Sequence, residues 1–186
     1  MRNYSNAGGR VFATHYDYTW FRNGPSEFRS LAFWPATPGA LDINDDVPLD
    51  TSFPKGQALV DWLRAVEPTA VNAQNQVLMS DLKASVVDVA GDGRATRWIY
   101  YNNANTGLTE AKYFSFNTPV GDPVDKQCGR AVFSDIHVGS TRRDDRLIPV
   151  SRESGKMTAH EKALEFLLFD LASCISDDNK PPEIPR

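Results

Sequence analysis

Apolar residues recur along this chain in two periods. Behind Pro54, the residues Ala58, Leu59, Trp62, Leu63 and Val66 return every three or four positions, which predicts a helix with one face on a core. Leu164, Leu167, Leu168 and Leu171 repeat the pattern up to Cys174, behind Thr158 and Glu161, whose spacing suits a capping box. Shorter runs lie elsewhere. Residues 11–13 and 131–133 read as strands covered on both faces, and Tyr113, Phe114 and Phe116 mark another that stops at Pro119. The stretch SVVDVAGDGRATRWIYY predicts a hairpin turning at Asp92 and Gly93. Residues 76–79 fit a short strand or a helix. Residues 1–7 read as a helix end, stopped by Gly8 and Gly9.

Between Tyr16 and Ser52 no period is sustained. Four prolines and the run DINDDVPLD predict a long inserted loop, whose aromatic content argues against disorder. Residues 1–175 therefore read as a single α/β domain and 176–186 as a polar, proline-rich tail of linker type. The whole chain has 186 residues, 41% hydrophobic and 24% charged, which is ordinary globular composition. A net charge of -4 and a pI near 5.4 leave no basic footprint for nucleic acid. No apolar stretch approaches a membrane span, and the N-terminus lacks the apolar core of a signal peptide.

Cys128 and Cys174 are the two cysteines. They fit a single disulfide, which favours an oxidising, extracytoplasmic compartment, or two unpaired thiols packed as small hydrophobes.

Two segments share a design. Gly9-Arg10 and Gly129-Arg130 each precede a short buried strand that delivers a histidine near its end, His15 in one and His137 in the other. If the strands lie parallel and adjacent, both histidines reach the crevice at their carboxyl ends, where open α/β sheets bind ligands. With Asp17 and Asp135 they supply nitrogen and oxygen donors for a divalent metal such as zinc, manganese or iron. The same groups equally suit a general base with an orienting carboxylate, Asp135, two residues before His137. Strand-end histidines bonded to loop backbone are the plain structural alternative. Tyr16, Tyr18 and Trp20, with Phe21, Phe33 and Trp34, are candidates for a stacking wall over a sugar, or for pins holding the loop to the sheet. His160, in the first turn of the last helix, reads as a surface residue. Asp42, Asn44 and Asp46 alternate as a calcium loop begins, but Val47 and Phe53 stand where its glycine and closing glutamate belong. No G-x-S-x-G elbow is present.

The blocks YSNAGGRVFATHYDYTW, CGRAVFSDIH and EKALEFLLFDL resemble the class I glutamine-amidotransferase-like superfamily, and within it the trehalose-utilisation (ThuA-like) branch. They are closer still to uncharacterised domains of large extracytoplasmic bacterial proteins. The resemblance spans most of residues 4–175. It implies a three-layer, flavodoxin-like sheet with helices on both faces, whose first strands would precede residue 1, and an uncovered sheet edge open to dimerisation. It also implies a carbohydrate or related polar ligand at a His15/His137 crevice, with Tyr16, Asp17, Tyr18 and Trp20 around it. In the amidotransferases the residue after the first of these strands is a nucleophilic cysteine on a sharp elbow. Here it is His15, so glutaminase chemistry does not transfer. Asp17 replaces a second histidine of the nearer relatives, which weakens a metal site. A non-catalytic interaction domain of a larger secreted protein is the reading from another class.

Overall fold

The computed structural model describes residues 1–36, 39–40, 45–79, 82–136 and 157–182. It opens with helix α1 (Arg2–Asn6), which ends at Gly8, where φ is +97°. Strand β1 (Arg10–Thr14) follows, then one 3-10 turn (His15–Asp17) and the short helices α2 (Tyr18–Arg22) and α3 (Ser26–Arg29). Strands β2 (Ala32–Phe33), β3 (Gly39–Ala40) and β4 (Asp45–Pro48) lead into α4 (Pro54–Val66). Next come β5 (Gln76–Met79), β6 (Lys83–Ala84) and β7 (Asp88–Val89). The long strands β8 (Thr96–Asn103) and β9 (Leu108–Thr118), then β10 (Gly129–Ser134), precede α5 (Ala159–Ala172).

The main sheet has the order β1-β10-β9-β8. β1 and β10 run parallel, whereas β9 is antiparallel to both of its neighbours. The fold is thus mixed α/β. Every residue of β10 is buried, as its unbroken apolar run predicts for a central strand covered on both faces. One core cluster joins Val132, Tyr113 and Trp98 of the sheet to Leu59 and Leu63 of α4 and Leu167 of α5. The second joins Val11, Ala13, Phe114, Phe116 and Phe133 to Phe21 of α2 and Phe28 of α3. Helices therefore pack on both faces.

The repeated Gly-Arg pairs have a shared structural cause. The register sets Arg10 against Arg130, and α1 crosses the start of both strands. A Cβ on Gly9 would collide with the Tyr4 ring, and one on Gly129 with the Ser5 carbonyl oxygen and the Thr118 hydroxyl. Only glycine admits this close approach. Gly129→Ala is expected to lose about 1–3 kcal/mol in chemical denaturation, because the obstacle is backbone that cannot swing aside.

Pro54 sits in the first turn of α4, and Thr158 caps α5: its hydroxyl accepts from the Glu161 amide at 3.2 Å while Glu161 Oε2 accepts from the Thr158 amide at 2.7 Å. Both follow the expected pattern. Residues 76–79 are a strand, paired antiparallel with β4. The hairpin at Asp92-Gly93 does not form: β7 pairs with β2, and β8 instead makes its hairpin with β9, around Gly107 at φ +68°. The Arg94 side chain explains the divergence, since it reaches back to the Asp92 carboxylate at 2.8 Å and across to the Ser30 hydroxyl and carbonyl at 3.0 and 3.1 Å. That ties the turn to the α3 end rather than closing it on β8. The stretch 16–52, expected to be irregular, carries the short helices α2 and α3 and the short strands β2 to β4, with loop residues between them where it is described. Its apolar residues Phe21, Phe28, Leu31 and Val47 are in the core.

The tail also differs from a linker. Asp178 is buried, and its carboxylate accepts from Lys55 Nζ at 2.8 Å, Arg130 Nη2 at 3.0 Å and the Thr96 hydroxyl at 2.9 Å. No helix among the described residues is long and apolar enough to cross a membrane.

Candidate functional site

β1 pairs with β10 up to Thr14 and Ser134, so the next residues, His15 and Asp135, follow on adjacent strands about 4.8 Å apart in strand spacing, His15 leaving the sheet and Asp135 staying bonded to β9. The predicted parallel, adjacent arrangement is present. His137 itself lies outside the described residues, as do Asp42 and Asn44 of the acidic run.

His15 has φ +40°, in the left-handed region, which non-glycine residues occupy infrequently although histidine is among those found there most often. The strain has a local origin. β1 must end and reverse within one residue to start the 3-10 turn, and Asp17 Oδ2 locks that turn by accepting from the Thr14 amide at 3.0 Å. The His15 ring rests on Tyr16, with centroids 4.0 Å apart. Tyr16 is 77% exposed and Trp20 52%, and their i, i+4 spacing puts both on one side of the helical segment that follows the elbow. Tyr18, by contrast, packs against the core with Trp34, and Phe21 is buried within it. The aromatic residues thus divide: some pin the segment down, while Tyr16 and Trp20 face outward.

Asp135 is fully buried. Its Oδ2 accepts from the Ser85 amide at 2.6 Å, its own amide donates to the Lys112 carbonyl at 2.7 Å, and its carbonyl accepts from the Lys83 amide at 2.9 Å. Oδ1 has no hydrogen-bond partner. Burial pushes the carboxyl above the usual carboxylate range, against the opposing pull of Lys112 and weaker help from Ser85 and the Val86 amide. The Ser85 hydroxyl lies on the same side but finds no well-aligned partner. Lys112, fully buried and next across the strands, donates to Glu110 Oε2 at 2.8 Å and also bonds the Lys83 carbonyl. Glu110 Oε1 in turn accepts from Asn103 Nδ2 at 2.8 Å. Tyr101 borders this cluster, its phenol shifted upward by burial first and by Asp45 and Glu110 next.

A second polar pair lies behind β9 and β10. Tyr113, buried and with a phenol that burial holds far above its ordinary range, has its hydroxyl 3.4 Å from His160 Nε2. His160 is buried, against the expectation of a surface residue. The signal was its spacing, three positions before Ala163 and seven before Leu167, on the packing stripe of α5. Lys112 and Glu110 carry no such signal. Within a strand they read as solvent-facing alternates, and only their place in the middle of the sheet buries them.

The end of β1 supplies an imidazole, and the end of β10 a buried carboxyl group pushed above the usual carboxylate range. Each is a group of the kind that moves a proton to or from a hydroxyl. Among the described residues no group of three histidine, cysteine or carboxylate side chains is placed to hold a metal ion. Cys128 and Cys174 are both exposed free thiols. Comparison of the chain with protein-family models, with curated proteins and with solved structures gives no match.

Proposed function

We propose that this is an extracytoplasmic, ThuA-like domain of flavodoxin-like, three-layer character that binds, and acts on, a carbohydrate or related polyhydroxylated ligand at the carboxyl ends of β1 and β10. The observation that carries this reading is the left-handed backbone at His15. Strain of this kind costs about 1–3 kcal/mol at a non-glycine residue and persists where the surrounding structure enforces it, most often at a site. In this reading His15 serves as the base toward a ligand hydroxyl, Asp135 orients and supplies protons, and Tyr16 with Trp20 stacks on a sugar face.

Calorimetric titration with a panel of mono- and disaccharides tests this, on the parent chain, on Trp20→Ala and on His15→Gly. Trp20→Ala should weaken saccharide binding by about tenfold or more, as a lost stacking ring does. His15→Gly should abolish turnover of the bound sugar yet raise stability by about 1 kcal/mol, because glycine adopts φ +40° without strain. No binding by any saccharide, together with unchanged stability in His15→Gly, would sink the proposal and favour a non-catalytic interaction domain of a larger secreted protein.

A further inference from the structure

The two cysteines lie far apart in sequence but on either side of one side chain. Arg10 Nη1 donates to the Cys128 carbonyl at 2.6 Å and to the Gly8 carbonyl at 3.2 Å, and Nη2 donates to the Ser173 carbonyl at 3.0 Å. A guanidinium is a rigid planar fork, so carbonyls held by its two terminal nitrogens lie within about 8 Å of each other. One belongs to Cys128 and the other to the residue just before Cys174. The Cys128 backbone is fixed to the sheet by its amide, which donates to the Thr118 carbonyl at 2.9 Å. Its thiol donates to the Asn6 carbonyl at 3.1 Å. Cys174 follows the last turn of α5, where Ser173 caps the Asp170 carbonyl through its hydroxyl at 2.8 Å. Helix ends fray readily, so this side can move toward Cys128 until disulfide geometry is met.

We infer that Cys128 and Cys174 form a reversible redox clasp, closed by exchange with a small disulfide and aligned by the Arg10 guanidinium. The thiolate of one cysteine attacks a sulfur of the small disulfide and releases one small thiolate. The thiolate of the other cysteine then attacks the mixed disulfide, forming the Cys128–Cys174 bond and releasing the second small thiolate. The two protons lost by the cysteines end on the two small thiols, so the protein is oxidised by two electrons and the small disulfide is reduced. Closure staples the end of α5, and with it the segment carrying Asp178, to the start of β10. This inference does not depend on the ligand proposed above, and its test involves no ligand.

The full chain is equilibrated in graded mixtures of reduced and oxidised glutathione, quenched by alkylation and weighed intact without reductant. The expected product is a monomer lighter by two hydrogens, with neither cysteine alkylated. It should appear under mixtures in which Cys128→Ser and Cys174→Ser carry glutathione adducts. The closed form should melt about 5 °C higher than the open one, since a cross-link restricts the unfolded chain. Arg10→Ala, checked for native circular dichroism, should reduce the closure constant by about tenfold through lost alignment. Glutathione adducts on both cysteines of the parent chain, or disulfide-linked dimers in place of the closed monomer, would overturn the clasp. An undiminished closure constant in Arg10→Ala would overturn the part assigned to Arg10.

Discussion

Replacing Arg130 with methionine is expected to cost about 3–5 kcal/mol at pH 7, measured by urea unfolding followed by tryptophan fluorescence. Arg130 is almost completely buried and stands at the centre of a closed charge network. Its Nη2 lies 2.7 Å from Asp170 Oδ2 and 3.0 Å from Asp178 Oδ1, and it donates to the Ser115 hydroxyl at 2.9 Å. Its Nη1 donates to Asn117 Oδ1 at 2.7 Å. Lys55 bridges the same two carboxylates at 2.9 and 2.8 Å. Two cations thus face two anions. Methionine fills most of the volume but leaves Lys55 alone against both carboxylates, and the uncompensated buried charge sets the size of the loss. The network is not saturated, because Arg130 Nε has no partner. Exchanging all four charged residues for apolar ones of similar volume should therefore cost less than Arg130→Met alone.

The same network gives a pH signature. Burial pushes the Asp178 carboxyl upward, and Arg130 and then Lys55 outweigh it, so the net shift is below the ordinary carboxylate value. A carboxyl depressed in the folded state contributes stability that is fully present above its unfolded pKa and is lost as pH falls through the folded one. Acid should release the tail segment first, since Asp178 is its buried anchor.

That anchor shows where sequence reading stops. The helices at Pro54 and Thr158 were legible because a periodic apolar stripe and a terminal signal are local properties. The strands of β1 and β10 were legible for the same reason, and their matched Gly-Arg starts even indicated their alignment. Asp178 sits among prolines and polar residues, and nothing local distinguishes a carboxylate that caps a buried arginine from one that faces water. The turn at Asp92 and Gly93 carried every hairpin signal, yet Arg94 and the β2 edge drew β7 away. For the site, His15 and Asp135 were legible as strand-end polar residues. The strained backbone of one and the orphaned oxygen of the other are properties of packing, as is the burial of Lys112 and His160.

Lys112→Met should be nearly as damaging as Arg130→Met at pH 7, at about 3–5 kcal/mol, but with a different pH dependence. Lys112 is fully buried and faces Glu110 directly, and it is the charge that draws the Asp135 carboxyl downward. Burial is the larger influence, so the Asp135 pKa is already raised in the folded protein. A raised folded-state pKa means that the associated stability is present below the unfolded value and is lost as pH rises through the folded value. Without Lys112 the carboxyl rises further, so the variant should recover part of its deficit on moving from pH 7 toward pH 4.5. Asp135→Asn mimics the protonated acid. It should make the parent chain more stable at pH 7 but not at pH 3.5, and should restore part of the stability lost in Lys112→Met. A Lys112→Met deficit that stays constant across this range, or that Asp135→Asn deepens, would show that the two residues are not coupled. The expected opposite result is that of a carboxyl which destabilises the folded chain when ionised, because burial outweighs the pull of Lys112 and its hydrogen bonds.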